Sequence, residues 1–297
     1  MATHESAWQV AEPSGIGGRV AAVVVEYHSG VALERCIESL LAAGVASVVV
    51  VDNGDALVAR VEERRGTTIR FVTPGRNLGF GGGVNEGARH VESDLLLVCN
   101  PDIVLESGSL SLMGAALDSD SEGGLVGPAL LDESGNVRQS ARAFPSISRS
   151  WRQAITGLVH PGGRHSTAYR AGNWIASASG VVDWVTGACM LVRRDAFDAV
   201  GGFDDTYFLY VEEVDLCWRL QRAGWRVLYE PAARVTHIGG VSTAPRPYRA
   251  IYAHHRSLWR FARLSASGRE RLALPLVALA LAARFAVACL VRLPQRN

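Results

Sequence analysis

Short apolar runs alternate with amphipathic stretches along the first hundred residues of the chain. The runs are rich in branched apolar residues and end in polar clusters, a pattern that predicts buried strands. They occupy residues 20–25, 48–51, 69–72 and 95–99. Between them, residues 32–43 and residues 84–90 have helical spacing, the latter after a glycine-rich turn. Strands that alternate with helices are typical of βαβ units, so we predict an α/β fold with a parallel sheet.

Polar clusters follow each of these four predicted strands. The residues of interest in them are Glu26, Tyr27, Asp52, Asn53, Asn77, Gly79, Phe80, Asn100 and Asp102. In open α/β sheets, ligands bind beyond the carboxyl ends of the strands. Four clusters in the same position relative to their strands therefore predict one shared binding site.

The second half of the chain begins with weak periodicity and then regains a clear pattern. Residues 132–179 predict loops and short elements that cover one edge of the site. Later segments predict strands and helices, and each helical pattern is closed by glycine. These are strands at 181–192 and around Val227 and Val235, and helices at 194–200 and 212–223.

The last fifty residues are basic and apolar, and we predict that residues 249–297 form a helical segment of their own. They contain nine arginines and one acidic residue, Glu270. The stretch 272–291 is long enough to span a bilayer, but Pro275 and Arg284 interrupt it. An interfacial helix, a spanning helix and an ordinary packing or oligomer helix all fit, and we favour the interfacial helix.

Composition narrows the class of protein and its compartment. With 297 residues and 48% hydrophobic content, the chain can bury one large domain, predicted at residues 19–248 after a flexible tail at 1–18. The five cysteines are far apart and form no CxxC pair, which favours a reduced, cytosolic compartment. The N-terminus lacks the pattern of a secretory signal. With a formal net charge of +1, we expect no nucleic-acid partner.

Asp102 is the first candidate for the chemistry of the site. It follows a buried strand in the segment Asn100-Pro101-Asp102 and carries a carboxylate to the ligand edge of the sheet. A hard cation such as Mg²⁺ is held by one or two carboxylates together with substrate phosphates, so one aspartate beside a diphosphate suffices. The same residue types are common in turns, so this segment alone leaves both interpretations open.

The start of the predicted helix at residue 212 is the second candidate, because three carboxylates fall within residues 212–215. Acidic side chains are favoured at helix N-termini whatever their function. Glu213, however, shares a helical face with apolar residues three, four and seven positions later, which predicts that it points toward protein. A carboxylate held there has a tunable pKa and can deprotonate an acceptor hydroxyl as general base.

Other segments carry weaker signals. The glycine-rich stretch 77–87 does not match the dinucleotide-binding fingerprint, and its glycines instead predict a close approach of backbone to a ligand. Asp52 fits either a contact to a nucleobase or ribose or a turn, and His237 fits either a ligand or a structural role. Arg249 and Arg256 fit either phosphate binding or a solvated basic face.

Taken in order and spacing, these segments resemble the inverting glycosyltransferases of family 2 with the GT-A fold, and among them the bacterial rhamnosyltransferases. The resemblance covers residues 20–243. Its most specific part is the block 185–194, followed by 200–204, 212–216 and His237. The resemblance implies a nucleotide-sugar-binding mixed sheet flanked by helices, followed by a membrane-associating helical segment.

The resemblance also implies roles for the candidate residues. Asp102 would be the remaining carboxylate of the family's DxD element, and His237 a further ligand of a divalent cation, Mg²⁺ or Mn²⁺. Glu213 stands where the family's catalytic aspartate usually stands, with Glu212 as the alternative base. The remaining candidates would contact the nucleotide-sugar donor. They are Glu26, Tyr27, Asp52, Asn53, Asn77, Gly79, Phe80, Asn85 and Asn100.

The sequence departs from the family pattern at two positions of the site. Asn100 replaces the first acid of DxD, and glutamate replaces aspartate at position 213. Because glutamate is one methylene longer, either the acceptor lies slightly farther away or Glu212 shares the role.

The implied reaction is the transfer of L-rhamnose from dTDP-rhamnose to a polyprenyl-diphosphate-linked N-acetylglucosamine in cell-wall glycan assembly. Such an acceptor lies in the membrane, so we expect a peripheral or monotopic protein at the cytoplasmic face of the plasma membrane. The alternatives are another donor, such as UDP-galactofuranose or a UDP-hexose, and a non-catalytic sugar-nucleotide or lipid-binding protein. The sequence leaves open whether the protein forms a homo-oligomer.

Overall fold

The computed structural model describes residues 15–54, 69–144, 178–238 and 247–291. Most of the predicted tail and residues 145–177 of the predicted loop region lie outside these ranges. The described strands are β1 (Val20–Glu26), β2 (Ser47–Asp52), β3 (Ile69–Val72), β4 (Leu95–Cys99), β5 (Ile103–Leu105), β6 (Gly123–Leu131), β7 (Val137–Arg138), β8 (Ala141–Arg142), β9 (Gly180–Val181), β10 (Trp184–Val185), β11 (Cys189–Arg193) and β12 (Arg226–His237). The described α-helices are α1 (Val31–Ala42), α2 (Gly79–Ala88), α3 (Ser109–Ser119), α4 (Arg194–Ala199), α5 (Glu212–Arg222), α6 (Pro247–Ser265) and α7 (Leu274–Val291).

Ten of these strands form one mixed sheet. Its order is β3-β2-β1-β4-β11-β6-β12-β5, with β7 paired to β6 and β9 to β12. The first four strands of this order are parallel to one another, as the βαβ pattern predicts. Strand β11 is antiparallel to both β4 and β6, so the sheet is mixed, as the family resemblance implies. Strands β8 and β10 form a separate antiparallel pair.

Helices cover both faces of the large sheet. On one face, α1 and α3 contribute fully buried residues such as Leu40 and Met113. On the other face, α2, α4 and α5 contribute residues such as Val84 and Leu220. Successive side chains of a strand point to opposite faces, so each central strand supplies residues to both cores. This two-sided burial explains why these strands are continuous apolar runs in the sequence.

The glycine-rich segment is part of a helix, which corrects the turn predicted from the sequence. Helix α2 begins at Gly79, ahead of the predicted start at residue 84. Glycine disfavours helices because fixing its backbone costs conformational entropy. Here, however, α2 lies so close to β1 that a Cβ at Gly87 would collide with the side chain of Val23. Tertiary packing therefore overrides local propensity.

The two short strands predicted around Val227 and Val235 are one strand, β12. It pairs parallel with β6 on both sides of a register shift between Glu230 and Arg234. Pro231 lies within this shift and has no N–H to donate to a ladder. The bulge interrupts the pairing without ending the strand. The apolar pattern in the sequence is interrupted there as well, although the strand continues.

Of the two C-terminal helices, α6 packs on the domain and α7 packs on α6. Phe261 of α6 is buried with Tyr207 and Val211, and Phe285 of α7 packs against α6. Within the described part of the chain, the segment Gly268–Leu290 alone is long and apolar enough to cross a membrane. Its mean hydropathy is 2.2, and no part of its most apolar window is buried.

Candidate active site

The carboxyl ends of β1, β2 and β4 border one cavity of about 1080 Å³. The parallel register pairs Glu26 with Asp52 and Val24 with Cys99, so the residues that follow each strand reach the same edge of the sheet. Pockets for drug-sized ligands measure roughly 300–1,000 Å³. This cavity is therefore large enough for a ligand of that size together with part of a second one.

Most of the site residues predicted from the sequence line this cavity. They are Tyr27, Asn53, Asn77, Gly79, Phe80, Asn100, Asp102, Glu212, Glu213 and His237. The other three, Glu26, Asp52 and Asn85, are not among the lining residues.

Glu26 and Asp52 stabilise the loops at the strand ends. Glu26 is fully buried, and its carboxylate accepts two hydrogen bonds from Ser29. One comes from the hydroxyl of Ser29 and the other from the backbone N–H of Ser29 at 2.6 Å. Asp52 is buried and accepts a hydrogen bond from the N–H of Gly54 at 2.8 Å, which is the turn interpretation left open by the sequence. Both carboxyls thus support the segments that carry lining residues.

Asn85, which was predicted to contact the donor, lies in α2 and is not among the residues that line the cavity. Its side-chain amide donates to the carbonyl of Phe203 at 2.8 Å and to the carboxylate of Asp205 at 2.6 Å. Its amide oxygen accepts from the N–H of Phe203 at 2.9 Å. Asn85 therefore ties α2 to the loop that leads toward α5.

Asn53 and Asn77 line the cavity and also fix the start of α2. The amide of Asn53 donates to the carbonyl of Gly79 at 2.9 Å and accepts from the N–H of Leu78 at 3.2 Å. Asn77 accepts from the N–H of Gly79 at 2.8 Å. Gly79 has a φ of 77°, and a Cβ there would collide with the carbonyl of Phe208. Only glycine allows the loop that carries Phe208 to approach α2 this closely.

Asp102 and His237 meet because β12 pairs with β5. The register places His237 opposite Ile103, and the N–H of Ile238 donates to the carbonyl of Asp102 at 3.1 Å. Nε2 of His237 lies 3.3 Å from Oδ1 of Asp102 and 3.4 Å from the side-chain amide of Asn100. Carboxylate and imidazole groups are ligands that Mg²⁺ or Mn²⁺ accepts. The pair supplies two ligands, so it fits a cation whose other positions are filled by oxygens of a bound substrate. Among the described residues, no group of three or more His, Cys, Asp or Glu side chains could hold a metal ion.

The two glutamates at the start of α5 have unusual proton affinities. Glu212 is 4% exposed, and its Oε2 has no hydrogen-bond partner among the described residues. Burial, together with repulsion from Glu213, raises the pKa of Glu212 to about 8. Burial also raises the pKa of Glu213, while backbone N–H groups and the charge of Arg142 oppose the rise. The charge of Arg142 thus favours the ionised form of Glu213, while the raised pKa of Glu212 favours its protonated form at neutral pH.

The backbone just before these glutamates is strained. Tyr210 and Val211 have φ angles of 65° and 72°, a region that a β-branched residue rarely adopts. Val211 is buried against Tyr207 and Phe261, and this packing holds it in place. Strain that is maintained by the surrounding structure is a frequent feature of functional sites.

Helix α6 supplies a wall of the cavity, whereas the sequence left Arg249 and Arg256 open between phosphate binding and a solvated basic face. Its lining side chains include Tyr248, Arg249, Tyr252, Arg256 and Ser257. The signal that could have found this wall is the repeat of basic and aromatic residues at helical spacing within a segment that also carries apolar core residues. Arg142 was missed too, and nothing in its local sequence marks it.

Comparisons with known sequences agree with this geometry. Residues 18–262 match the family model described as Glycosyltransferase like family 2. An N-acetylglucosaminyl-diphospho-decaprenol L-rhamnosyltransferase of Mycobacterium tuberculosis is 36% identical over 253 residues, which cover 80% of this chain and 82% of that protein. The rhamnosyltransferase WbbL of Escherichia coli K12 is 28% identical over 222 residues, which cover 72% of this chain and 81% of that protein.

Solved structures share the fold at low sequence identity. A mannosyltransferase from Pyrobaculum calidifontis, in complex with GDP-Man and Mn²⁺, has a TM-score of 0.56 at 16% identity, covering 96% of this chain and 79% of that one. GalNAc-T7 with UDP, GalNAc and Mn²⁺ has a TM-score of 0.55 at 14% identity, covering 74% of this chain and 43% of that one. The GT-A fold predicted from the sequence is confirmed.

Proposed function

Because the chain belongs to glycosyltransferase-like family 2, and is therefore a glycosyltransferase, we propose that it moves L-rhamnose from dTDP-rhamnose to a polyprenyl-diphosphate-linked N-acetylglucosamine with inversion. One observation carries the proposal. A cation-binding pair, Asp102 and His237, and a glutamate pair, Glu212 and Glu213, line the same cavity. The sugar and the lipid-linked acceptor are proposed from the Mycobacterium tuberculosis relative.

The donor occupies the strand-end side of the cavity in this proposal. Tyr27, Asn53 and Asn77 offer aromatic and amide groups there to the nucleoside. Asp102 and His237 hold Mg²⁺ or Mn²⁺, which when bound neutralises the charge that develops on the leaving nucleoside diphosphate. The Mn²⁺ present in the two solved neighbours supports this choice of ion.

Glu213 acts as the general base. It removes the proton from the acceptor hydroxyl, whose oxygen attacks the anomeric carbon from the face opposite the leaving group, and this inverts the configuration. Glu213 is more exposed than Glu212, and the charge of Arg142 favours its ionised form. Glu212 is protonated at neutral pH and does not compete for the acceptor proton.

A lipid-linked acceptor requires a reaction at a membrane, and we propose the cytoplasmic face of the plasma membrane. Its prenyl chain lies in the bilayer, so the enzyme must bring its cavity to the headgroup region. Helix α7 supports this location, because it is apolar and exposed along its length.

A donor panel tests the proposal. The full-length protein is incubated with lipid-linked N-acetylglucosamine and with dTDP-rhamnose, UDP-galactofuranose or UDP-glucose, each with and without EDTA. We expect turnover with dTDP-rhamnose, loss of turnover in EDTA, and recovery when Mg²⁺ or Mn²⁺ is added back. Turnover with UDP sugars alone would show that the donor is a UDP sugar and not dTDP-rhamnose. No turnover with any donor would contradict the proposed reaction.

A further inference from the structure

Two arginines on one face of α6 line the cavity without an acidic partner among the residues that the structure describes. Arg249 and Arg256 lie seven positions apart with Tyr252 between them, so the three residues share one stripe of the helix. Neither guanidinium forms an ion pair with a described residue, whereas Arg260, one turn later, pairs with Asp204 at 2.6 Å. The two unpaired guanidinium groups are therefore available to an anionic ligand in the cavity.

Helix α6 holds these arginines in a fixed position relative to the proposed base. The hydroxyl of Ser257 donates to the carbonyl of Leu209 at 3.2 Å. Phe261 is buried against Tyr207 and Val214, which belong to the segment that leads into and forms α5. The arginine stripe and the two glutamates are thus parts of one packed unit.

The same helix connects the cavity to an apolar surface. Phe285 of α7 packs against Tyr252 with 6.3 Å between ring centroids, and against His255 with 5.5 Å. Beyond this contact, α7 presents an outward stripe of apolar residues that are 51–69% exposed. This stripe consists of Leu276, Leu279, Val287 and Leu290.

Two tyrosines mark the boundary between the cavity and this apolar surface. Tyr248 and Tyr252 line the cavity and are also 42% and 59% exposed. Tyrosine is enriched at membrane–water interfaces, because its ring is apolar and its hydroxyl is polar. Their position beside the exposed apolar residues of α7 is the one expected of side chains at lipid headgroups.

We infer that Arg249 and Arg256 bind the diphosphate of the acceptor, whose prenyl chain leaves the cavity along α7. The inference rests on the proposed function, since it takes the lipid-linked acceptor from it. A prenyl diphosphate joins an anionic group to an apolar chain, so its site requires cations beside an apolar exit. The donor diphosphate would have a separate partner in the proposed cation at Asp102 and His237, which lie between β4 and β5 and at the end of β12, not on α6.

Single substitutions with a matched control test this assignment. Arg249→Gln and Arg256→Gln remove one guanidinium each, and Arg263→Gln is the control. Arg263 lies on the same stripe, about 10 Å beyond Arg256 along the helix, and is not a lining residue of the cavity. Each variant is assayed with two acceptors, the lipid-diphosphate-linked N-acetylglucosamine and an uncharged alkyl glycoside of N-acetylglucosamine.

The two acceptors are expected to respond differently. Each substitution in the stripe lowers kcat/KM for the diphosphate acceptor by about 10- to 100-fold, as expected for the loss of charge-assisted hydrogen bonds. The values for the alkyl glycoside and the Kd of dTDP-rhamnose do not change, and Arg263→Gln changes neither. Equal losses with both acceptors, or weaker donor binding, would overturn the inference and assign the arginines to the donor or to general packing.

Binding without a donor separates this inference from the proposed function. Geranylgeranyl diphosphate and the uncharged geranylgeraniol are titrated into the wild-type protein and the Arg249→Gln/Arg256→Gln variant in detergent micelles. We expect the variant to bind the diphosphate at least tenfold more weakly and the alcohol equally well. That result supports the site even if no rhamnose is transferred, whereas equal binding of the diphosphate by both proteins overturns the inference whichever sugar is used.

Discussion

Glu212 and Glu213 are neighbours in the chain, yet their surroundings separate their roles. Glu212 is enclosed by protein with an unpaired Oε2, and burial disfavours its charged form. Glu213 is the more exposed and is influenced by the charge of Arg142. Pairs of titratable groups whose environments move their pKa values apart are typical of acid–base sites. In the proposed function, the same residue type thus supplies one carboxyl that favours its neutral form and one base.

Exchanging each glutamate for glutamine tests this division. We expect Glu213→Gln to lower kcat by about 10²- to 10⁴-fold, because the amide cannot accept the acceptor proton. We expect Glu212→Gln to retain most of the turnover at pH 7, because it replaces a carboxyl that is already protonated. Single-turnover rates measure both effects, and calorimetry of donor binding, unchanged in both variants, is the control. Loss of turnover in Glu212→Gln alone would show that Glu212, and not Glu213, is the base.

The buried carboxyl of Glu212 also predicts how stability depends on pH. Its folded pKa is raised to about 8, whereas in the unfolded chain it ionises near about 4.3. Below the unfolded pKa the carboxyl is protonated in both states and carries no penalty. As the pH rises toward 8, the folded state binds more protons than the unfolded state, so the free energy of unfolding falls. Above 8 the full penalty of a buried charge remains.

Glu212→Gln should remove this pH dependence. We expect the variant to gain at least about 1 kcal/mol relative to wild type between pH 5 and pH 8.5, the equivalent of roughly one pKa unit. Urea unfolding at the two pH values measures the difference. A constant difference between the two proteins across this range would show that Glu212 titrates normally in the folded state.

At the residue scale, sequence patterns located those site residues whose side-chain direction is fixed by the strand or helix that carries them. Asp102 follows a buried strand and Glu213 opens a helix, so both were placed correctly at the cavity. Asn85 was predicted at the donor site, whereas its side chain bonds to Phe203 and does not line the cavity, and only tertiary contacts decide this. Arg142 lies on a two-residue strand, and no local pattern predicts its proximity to Glu213.

Among the elements, the contact between α2 and the loop before α5 shapes the cavity most directly. Gly79 starts α2 with a φ of 77° and lies against the carbonyl of Phe208. That loop then passes through the strained residues Tyr210 and Val211 before α5 begins. The close approach at Gly79 therefore helps to fix the position from which both glutamates enter the cavity.

Two glycine-to-alanine substitutions separate backbone strain from steric collision. Gly135 has a φ of 79° and no atom within 4 Å of a Cβ built on it, so Gly135→Ala should cost about 1–2 kcal/mol for the left-handed backbone alone. Gly79→Ala adds the collision with Phe208 and should cost at least about 1 kcal/mol more. Urea unfolding measures both, and Gly79→Ala alone should also lower kcat. Equal losses of stability would contradict the close approach.

The sequence predicted elements well where burial is regular and poorly where packing is special. Strands β1, β2 and β4 are buried on both faces, so their apolar runs predicted them directly. The start of α2 was missed, because its glycines satisfy a close contact that no local rule anticipates. Strand β12 was divided in two, because its bulge resembles a strand end in the sequence.

For the whole molecule, one helix connects the chemistry to the surface that we assign to the membrane. Helix α6 lines the cavity on one side and packs against α7 on another. The bilayer-facing surface and the proposed base are therefore separated by a single layer of structure. An acceptor bound between them keeps its sugar in the cavity while its prenyl chain stays in an apolar environment.

Membrane binding should depend on the outward stripe of α7. We expect Leu279→Gln/Leu290→Gln to bind vesicles of anionic lipid at least about 100-fold more weakly, because each exposed leucine contributes roughly 1.5–3 kcal/mol when buried in lipid. Leu112→Gln, the same change at an exposed position of α3, is the control and should bind like wild type. Vesicle co-sedimentation measures binding, and unchanged turnover with the alkyl glycoside confirms that the fold is intact. Unchanged co-sedimentation of the double variant would show that α7 is not the membrane contact.

The geometry of α7 favours a helix that lies along the membrane surface over one that spans it. Burial, together with the nearby charge of Arg284, lowers the pKa of His254 to about 4, and Phe285 packs on His255. The middle of α7 is thus held against α6, so a spanning α7 would carry the cavity wall and Arg284 into the hydrocarbon, where a charge is costly. We therefore expect sodium carbonate at high pH to release the wild-type protein from membranes. Retention after carbonate would establish a spanning helix. If the protein is released but forms a concentration-dependent dimer, and Leu279→Gln/Leu290→Gln dissociates that dimer, the stripe binds a second copy of the chain instead of the membrane.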